Sequence, residues 1–204
     1  RTSAVLGEQA RWSAFRPVGL ELAFGPDAPL PPLTLELGQG RRMDVAGRID
    51  RVDAAETPEG LLLRIVDYKS GGARLKLDEV AHGLSLQMLA YLDVVVTHAP
   101  HWLGKPAEPA GVLYFHVHNP LLATANGLSP EEAVTQWLRQ FRMQGLVLAD
   151  SQAVRLMDES LKDPGSASSI IPVSFKKDGT FSARSQVADR REWNVLRASV
   201  RAQI

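Results

Sequence analysis

The sequence predicts an α/β fold, a mixed β-sheet flanked by helices, on three observations. Short runs of alternating apolar and polar residues crowd the first third of the chain. β-Branched and aromatic residues concentrate in LLLRIVDYKS (61–70) and GVLYFHVH (111–118). Between and after these runs lie stretches with helical start signals. The resulting order is a β-rich segment, helix, strand, helix, hairpin and helix, which suits one sheet with helices packed on it.

Each element has its own local reason. Residues 1–19 form a short helix or arm running into Pro17. LELAFG (20–25) and LTLELG (33–38) alternate as strands do, and the proline-rich PDAPLPP separates them. RMDVAGRIDRVD (42–53) reads as one longer alternating strand, AAETPEG as a turn, and LLLRIVDYKS as the returning strand. After GGARLKL a helix is expected from an N-cap at Asp78 to about Val96, with HAPHWLGKPAEPA as a loop and GVLYFHVH as a strand. Ser129-Pro130-Glu131-Glu132 begins a further helix: a cap, a proline in the first turn and acids at the positive end of the dipole. IIPVSFKKDGTFSARS (170–185) is a hairpin turning at Lys177-Asp178-Gly179, and Asp189 caps a last basic helix.

Composition bounds the function. At 204 residues, 45% hydrophobic and 23% charged, the chain is ordinary for one globular domain, expected to span 1–204. No apolar run approaches a membrane span, and no secretory signal pattern opens the chain. There is no cysteine, so disulfides, thiolate zinc sites and thiol catalysis are excluded within this stretch. That composition fits a reducing cytoplasm, the expected location. Formal net charge is zero, so a polyanion must be held by a local basic surface or by a metal. The chain starts at Arg1 without Met, and a piece of something larger is the expectation.

The chemistry concentrates in the hairpin. The midpoint between Asp50 and Asp67 falls at Pro58–Glu59, so an antiparallel pair turning there sets the two carboxylates opposite each other on one face. Lys69, two residues on, points to the same face. Two carboxylates and an ammonium can cradle a hard divalent cation, and magnesium commonly takes only one or two protein carboxylates. The same spacing also fits a structural cross-strand ion pair, since Asp50 lies within Arg48-Ile49-Asp50-Arg51. Against that, Asp67 follows a run that reads as buried, where charges need a purpose. In the next helix Val80, Leu84, Gln87, Tyr91 and Val95 share one face, so Gln87 is a polar residue in an apolar stripe and should face inward. A boundary glutamine bonded to backbone is the alternative.

Taken together, GRIDR (47–51), VDYKS (66–70) and GLSLQMLAYL (83–92) resemble the RecB-like branch of the PD-(D/E)XK nuclease superfamily. ELAFG (21–25), GVLYFHVHNPLL (111–122) and FRMQGLVLAD (141–150) extend the likeness to the C-terminal nuclease domains of AddB-type helicase–nuclease subunits, over most of the chain. The resemblance implies a restriction-endonuclease-like core, here with an added C-terminal hairpin and helix. It implies that Asp50 and Asp67 bind Mg2+ or Mn2+, that Lys69 is the catalytic lysine, and that Gln87 and Tyr91 form the Q-x-x-x-Y motif that supports the site and contacts DNA. The implied activity is metal-dependent exonuclease hydrolysis of single-stranded DNA, beside an AddA-type helicase partner, in the repair of double-strand breaks. Relatives add a His or Glu upstream, for which Glu21 is the only obvious stand-in. They also carry four cysteines around a 4Fe–4S cluster, absent here; a stretch that ends inside both cysteine sets is the simpler expectation.

Other motifs carry less. His116 and His118 share a strand face without a third ligand nearby, and His98 and His101 sit among prolines. Leu103-Gly104-Lys105-Pro106 lacks the flanking residues of a phosphate loop, so any ATP hydrolysis lies outside this stretch. Lys176, Lys177, Arg184, Arg190, Arg191, Arg197 and Arg201 make the last third locally basic, as a DNA-tracking face or as solvated charge. The contrasting functional classes are a non-catalytic DNA-binding or subunit-docking module and a stand-alone RecB-like nuclease.

Overall fold

A computed structural model describes residues 2–69, 85–117 and 138–202. The expected cap at Asp78, the stripe positions Val80 and Leu84, His118 and the helix start at Ser129 lie outside the described residues. In chain order the elements are α1 (Thr2–Arg11), β1 (Arg16–Phe24), β2 (Leu33–Glu36), β3 (Arg42–Val45), β4 (Gly47–Thr57) and β5 (Gly60–Lys69). They continue with α2 (Ser85–Trp102), β6 (Ala107–His116), β7 (Gln144–Leu148), α3 (Ser151–Met157), β8 (Val187–Ala188) and α4 (Arg190–Ala202).

Six strands form the main sheet in the order β1-β4-β5-β6-β7-β8. The first three are an antiparallel meander, β5 and β6 run parallel, β7 reverses, and β8 is parallel to β7. The sheet is therefore mixed, with helices packed on it, as the order of the runs predicts. A parallel neighbour requires a crossover, and α2 lies in that connection, packing along β5, β6 and α4. β5 reads as a continuous apolar run because Leu61 to Val66 are all buried, including Arg64.

Several boundaries differ from the expectation. RMDVAGRIDRVD is two strands: β3 leaves to pair with β2 in a separate ribbon, and β4 starts again at Gly47. The break falls at Ala46, whose Cβ stands 2.7 Å from where a Cβ on Gly25 would be, so this crossing needs glycine at 25. β4 also runs on through AAET, with Thr57 facing Gly60, so only Pro58 and Glu59 turn. β1 begins before Pro17, which an edge strand tolerates.

The expected loop from His98 is helix as far as Trp102. Pro100 sits in the last turn, where its missing N–H costs one helical hydrogen bond and the helix is otherwise unbroken. Asp93 on this helix is buried and gripped by Arg197 (2.8 Å) and Arg201 (2.7 Å) from α4, which seats the C-terminal helix against α2. The α4 cap is a reciprocal box. Asp189 Oδ1 accepts from Glu192 N (2.8 Å), and Asp189 N donates to Glu192 Oε2 (2.7 Å). The C-terminal hairpin is present as a turn with a Phe175–Phe181 bridge, stacked at 5.2 Å, rather than as two regular strands. Among the described residues no helix is long and apolar enough to cross a membrane.

Candidate active site

The main sheet forks where Asp50 and Asp67 stand. The β4–β5 ladder ends at Arg51↔Val66, whereas β4 stays paired with β1 as far as Gly47 and β5 with β6 as far as Lys69. Continuing the register past its last pair sets Asp50 opposite Asp67, at the mouth of the fork. Asp50 Oδ2 takes the N–H of Tyr68 at 2.9 Å, a backbone donor released by the end of the ladder.

Asp67 is 9% exposed. Lys69 Nζ approaches its Oδ2 to 2.7 Å, yet out of hydrogen-bond alignment, so this buried oxygen has no aligned donor among the described residues. Burial pushes the Asp67 carboxyl above the usual carboxylate range. The Lys69 ammonium pulls the other way, and the charge of Asp50 adds to the rise. On the adjacent parallel strand, Tyr114 faces Asp67 and His116 faces Lys69. The Tyr114 ring lies 5.8 Å below Lys69 Nζ. Burial, with Asp67 beside it, raises its phenol to about 12, so it stays neutral at physiological pH.

An oxygen-only pair of carboxylates, one with a buried and poorly satisfied oxygen, fits a hard divalent cation. No third His, Asp or Glu joins them among the described residues, so water and substrate would complete the shell. Glu21 falls opposite Asp50 in the β1–β4 register, exposed, in a left-handed backbone conformation (φ 49°) and 3.8 Å from Arg48.

These features match one family. A model of the PD-(D/E)XK nuclease superfamily covers residues 2–200. The chain belongs to that superfamily. It is 51% identical over 202 residues to the B-type subunit of the ATP-dependent helicase/deoxyribonuclease of Geobacillus kaustophilus, and 49% identical over 201 residues to its counterpart in Bacillus subtilis. In each case the alignment covers 98% of this chain and 17% of the relative, so the chain spans about a sixth of the subunits it matches.

Gln87 departs from expectation in this PD-(D/E)XK chain. It is exposed, and its Nε2 donates to Tyr91 Oη at 2.7 Å. Of the expected face Val95 is buried and Tyr91 half-buried, and α2 also buries Met88, Leu89, Leu92, Val94, Val96 and Ala99, so Gln87 alone of its described members is exposed. Tyr91 in turn packs edge-on against Phe24 at 5.6 Å, and Phe24 lies over Gly47, opposite it in the ladder. A Cβ at Gly47 would stand 2.8 Å from the Phe24 ring. Gly47→Ala therefore displaces Phe24 and loosens Tyr91, at a cost of about 1–3 kcal/mol. Thermal melts check this: the single variant melts lower, and Gly47→Ala with Phe24→Leu recovers part of the loss.

The basic C-terminal surface is smaller than the sequence suggests. Arg190 pairs with Glu108 and Asp150, and Arg197 and Arg201 serve Asp93. His98 lies among these groups. Burial holds its pKa down, helped by Arg201 and opposed by Asp93. What sequence reasoning missed is the rear face of the same hairpin, where Asp53, fully buried, binds Arg51 and Arg64. A signal existed: Asp53 and Arg64 are as symmetric about Pro58–Glu59 as Asp50 and Asp67.

Proposed function

We propose that residues 1–204 are the nuclease domain of a larger helicase–nuclease subunit, hydrolysing DNA phosphodiesters with Mg2+ or Mn2+ held by Asp50 and Asp67. The observation that carries this is the fork itself, with Asp67 Oδ2 buried, 2.7 Å from Lys69 and without an aligned donor among the described residues. The names of the relatives, ATP-dependent helicase/deoxyribonuclease subunits, support DNA as substrate and a helicase complex as context; single-stranded DNA delivered by an AddA-type helicase is our finer reading. No cysteine occurs in the chain, so it supplies no thiolate to a 4Fe–4S cluster.

The reaction is hydrolysis: water attacks phosphorus in line, the opposite P–O ester bond breaks, and one water proton ends by way of solvent on the departing sugar oxygen. A bound cation supplies charge neutralisation at the phosphate and a water of lowered pKa. Lys69, held beside Asp67, is placed to donate to a non-bridging phosphate oxygen, where it stabilises negative charge in the transition state. Tyr114 stays a phenol, so the floor of the site adds no negative charge against the phosphate. Gln87 and Tyr91 present a bonded amide–hydroxyl pair on α2 for contact with the strand being cut.

Cleavage of end-labelled single-stranded DNA in Mg2+, by the full-length protein with its helicase partner, tests the proposal. Asp50→Ala and Lys69→Ala should each lose about 10²–10³-fold in rate, with DNA binding retained. Variants that cut as fast as the native protein would show that cleavage does not run through Asp50 and Lys69, and the assignment would be wrong.

A further inference from the structure

Beyond Arg51↔Val66 no ladder holds β4 and β5 together, and side chains take over. On the front, Tyr68 N–H reaches Asp50 Oδ2 (2.9 Å). On the rear, Arg51 Nη1 donates to Tyr68 Oη (3.3 Å). Arg51 is itself immobilised, with Nε 2.6 Å from Asp53 Oδ1. Asp53 Oδ2 in turn accepts from Arg64 Nε and lies 2.9 Å from Arg64 Nη2. The Arg64 cation lies 4.8 Å from the Phe15 ring centroid, and Tyr68 is wedged edge-on against Phe115 at 5.9 Å.

We propose that the Arg51–Tyr68 link, anchored by Asp53 and Arg64, is a positioning device that sets the spacing of Asp50 and Asp67 and hence their grip on a divalent cation. The inference rests on the metal-site reading above. Its basis is connectivity. Arg51 follows Asp50, and Tyr68 stands between Asp67 and Lys69, so one rear contact constrains all three front groups. By strand alternation these rear side chains lie on the face opposite the carboxylates and touch no substrate. A stabilising ion pair alone would need only Asp53 and Arg64. A second, partly buried arginine adds desolvation cost and reaches one further group, the Tyr68 hydroxyl.

Calorimetric titration of the full-length protein with Mn2+ tests this, using Tyr68→Phe, which removes the hydroxyl and keeps the ring. The expected result is a Kd weakened about tenfold, a matching shift in the Mg2+ midpoint for cleavage, a largely retained rate at saturating Mg2+, and a metal-free Tm close to native. Arg51→Lys should weaken Mn2+ binding similarly, because an ammonium cannot bridge Asp53 and Tyr68 as a fork. A lowered Tm with unchanged Mn2+ affinity in Tyr68→Phe would make the link merely structural and overturn the proposal. Asp67→Asn separates the two levels. If it abolishes Mn2+ binding while Tyr68→Phe has no effect, only the positioning role fails. If neither variant alters Mn2+ binding, the metal site fails, and the positioning role with it.

Discussion

Asp67→Asn is expected to abolish cleavage while raising the melting temperature of the metal-free protein. Both effects come from one carboxylate. Its folded-state pKa lies above that of the unfolded chain, chiefly because burial disfavours the ionised form. An acid raised in this way costs stability when ionised, in full above its folded pKa. The cost disappears as pH falls through the interval down to the ordinary aspartate value. Asparagine has nearly the same shape and carries no such cost, so the variant melts higher at neutral pH. The advantage vanishes below the carboxylate range. Saturating Mg2+ reverses the order, because ligand binding stabilises only the protein that retains its ligand set. Cleavage falls on the order of 10³-fold with the loss of that charge. Melting curves with and without Mg2+, at neutral and acid pH, beside a cleavage assay, check each part.

Asp53→Ala is expected to be the most destabilising single change in the hairpin. Asp53 is 0% exposed and is the acidic partner of both Arg51 and Arg64, of which Arg64 is 3% exposed. Burial lowers the Arg64 pKa, and the charge of Asp53 partly restores it. A guanidinium still does not shed its proton. Removing the carboxylate therefore leaves the buried Arg64 cation, and the partly buried Arg51 beside it, without compensation, worth about 3–5 kcal/mol. For a chain of this size that lowers Tm by about 10 °C or more. Asp53→Asn keeps a single acceptor oxygen, for one of the two arginines only, and should lose less than Asp53→Ala. Denaturant unfolding of the three proteins measures the difference, and equal stability of Asp53→Ala and the native chain would contradict the account.

The sheet and the fork were legible in sequence because they depend on local signals. Alternation marks the strands, and a short polar turn sets the register of 50 against 67 by counting alone. Two features were not legible. The first is the parallel pairing that brings Tyr114 to Asp67 and His116 to Lys69, which depends on where a crossover returns its strand. The second is the breadth of the buried face of α2, which takes in Met88 and Leu92 beside the expected Val95 and leaves Gln87 outside. An apolar-rich helix supports several faces nearly equally well, so periodicity could not choose between them. Pro100 misled for a related reason: a proline breaks a helix interior but not a last turn. The rear network was readable from the same turn midpoint, but a search for paired carboxylates passes over an Asp–Arg pair.

The central claim is that Asp50 and Asp67 form one divalent-cation site. Anomalous diffraction from crystals of the full-length protein soaked in Mn2+ tests it most directly. A manganese peak within ligand distance of both carboxylates, absent from Asp67→Asn crystals, is the predicted result. No peak at the fork, or one that survives the substitution, would contradict it.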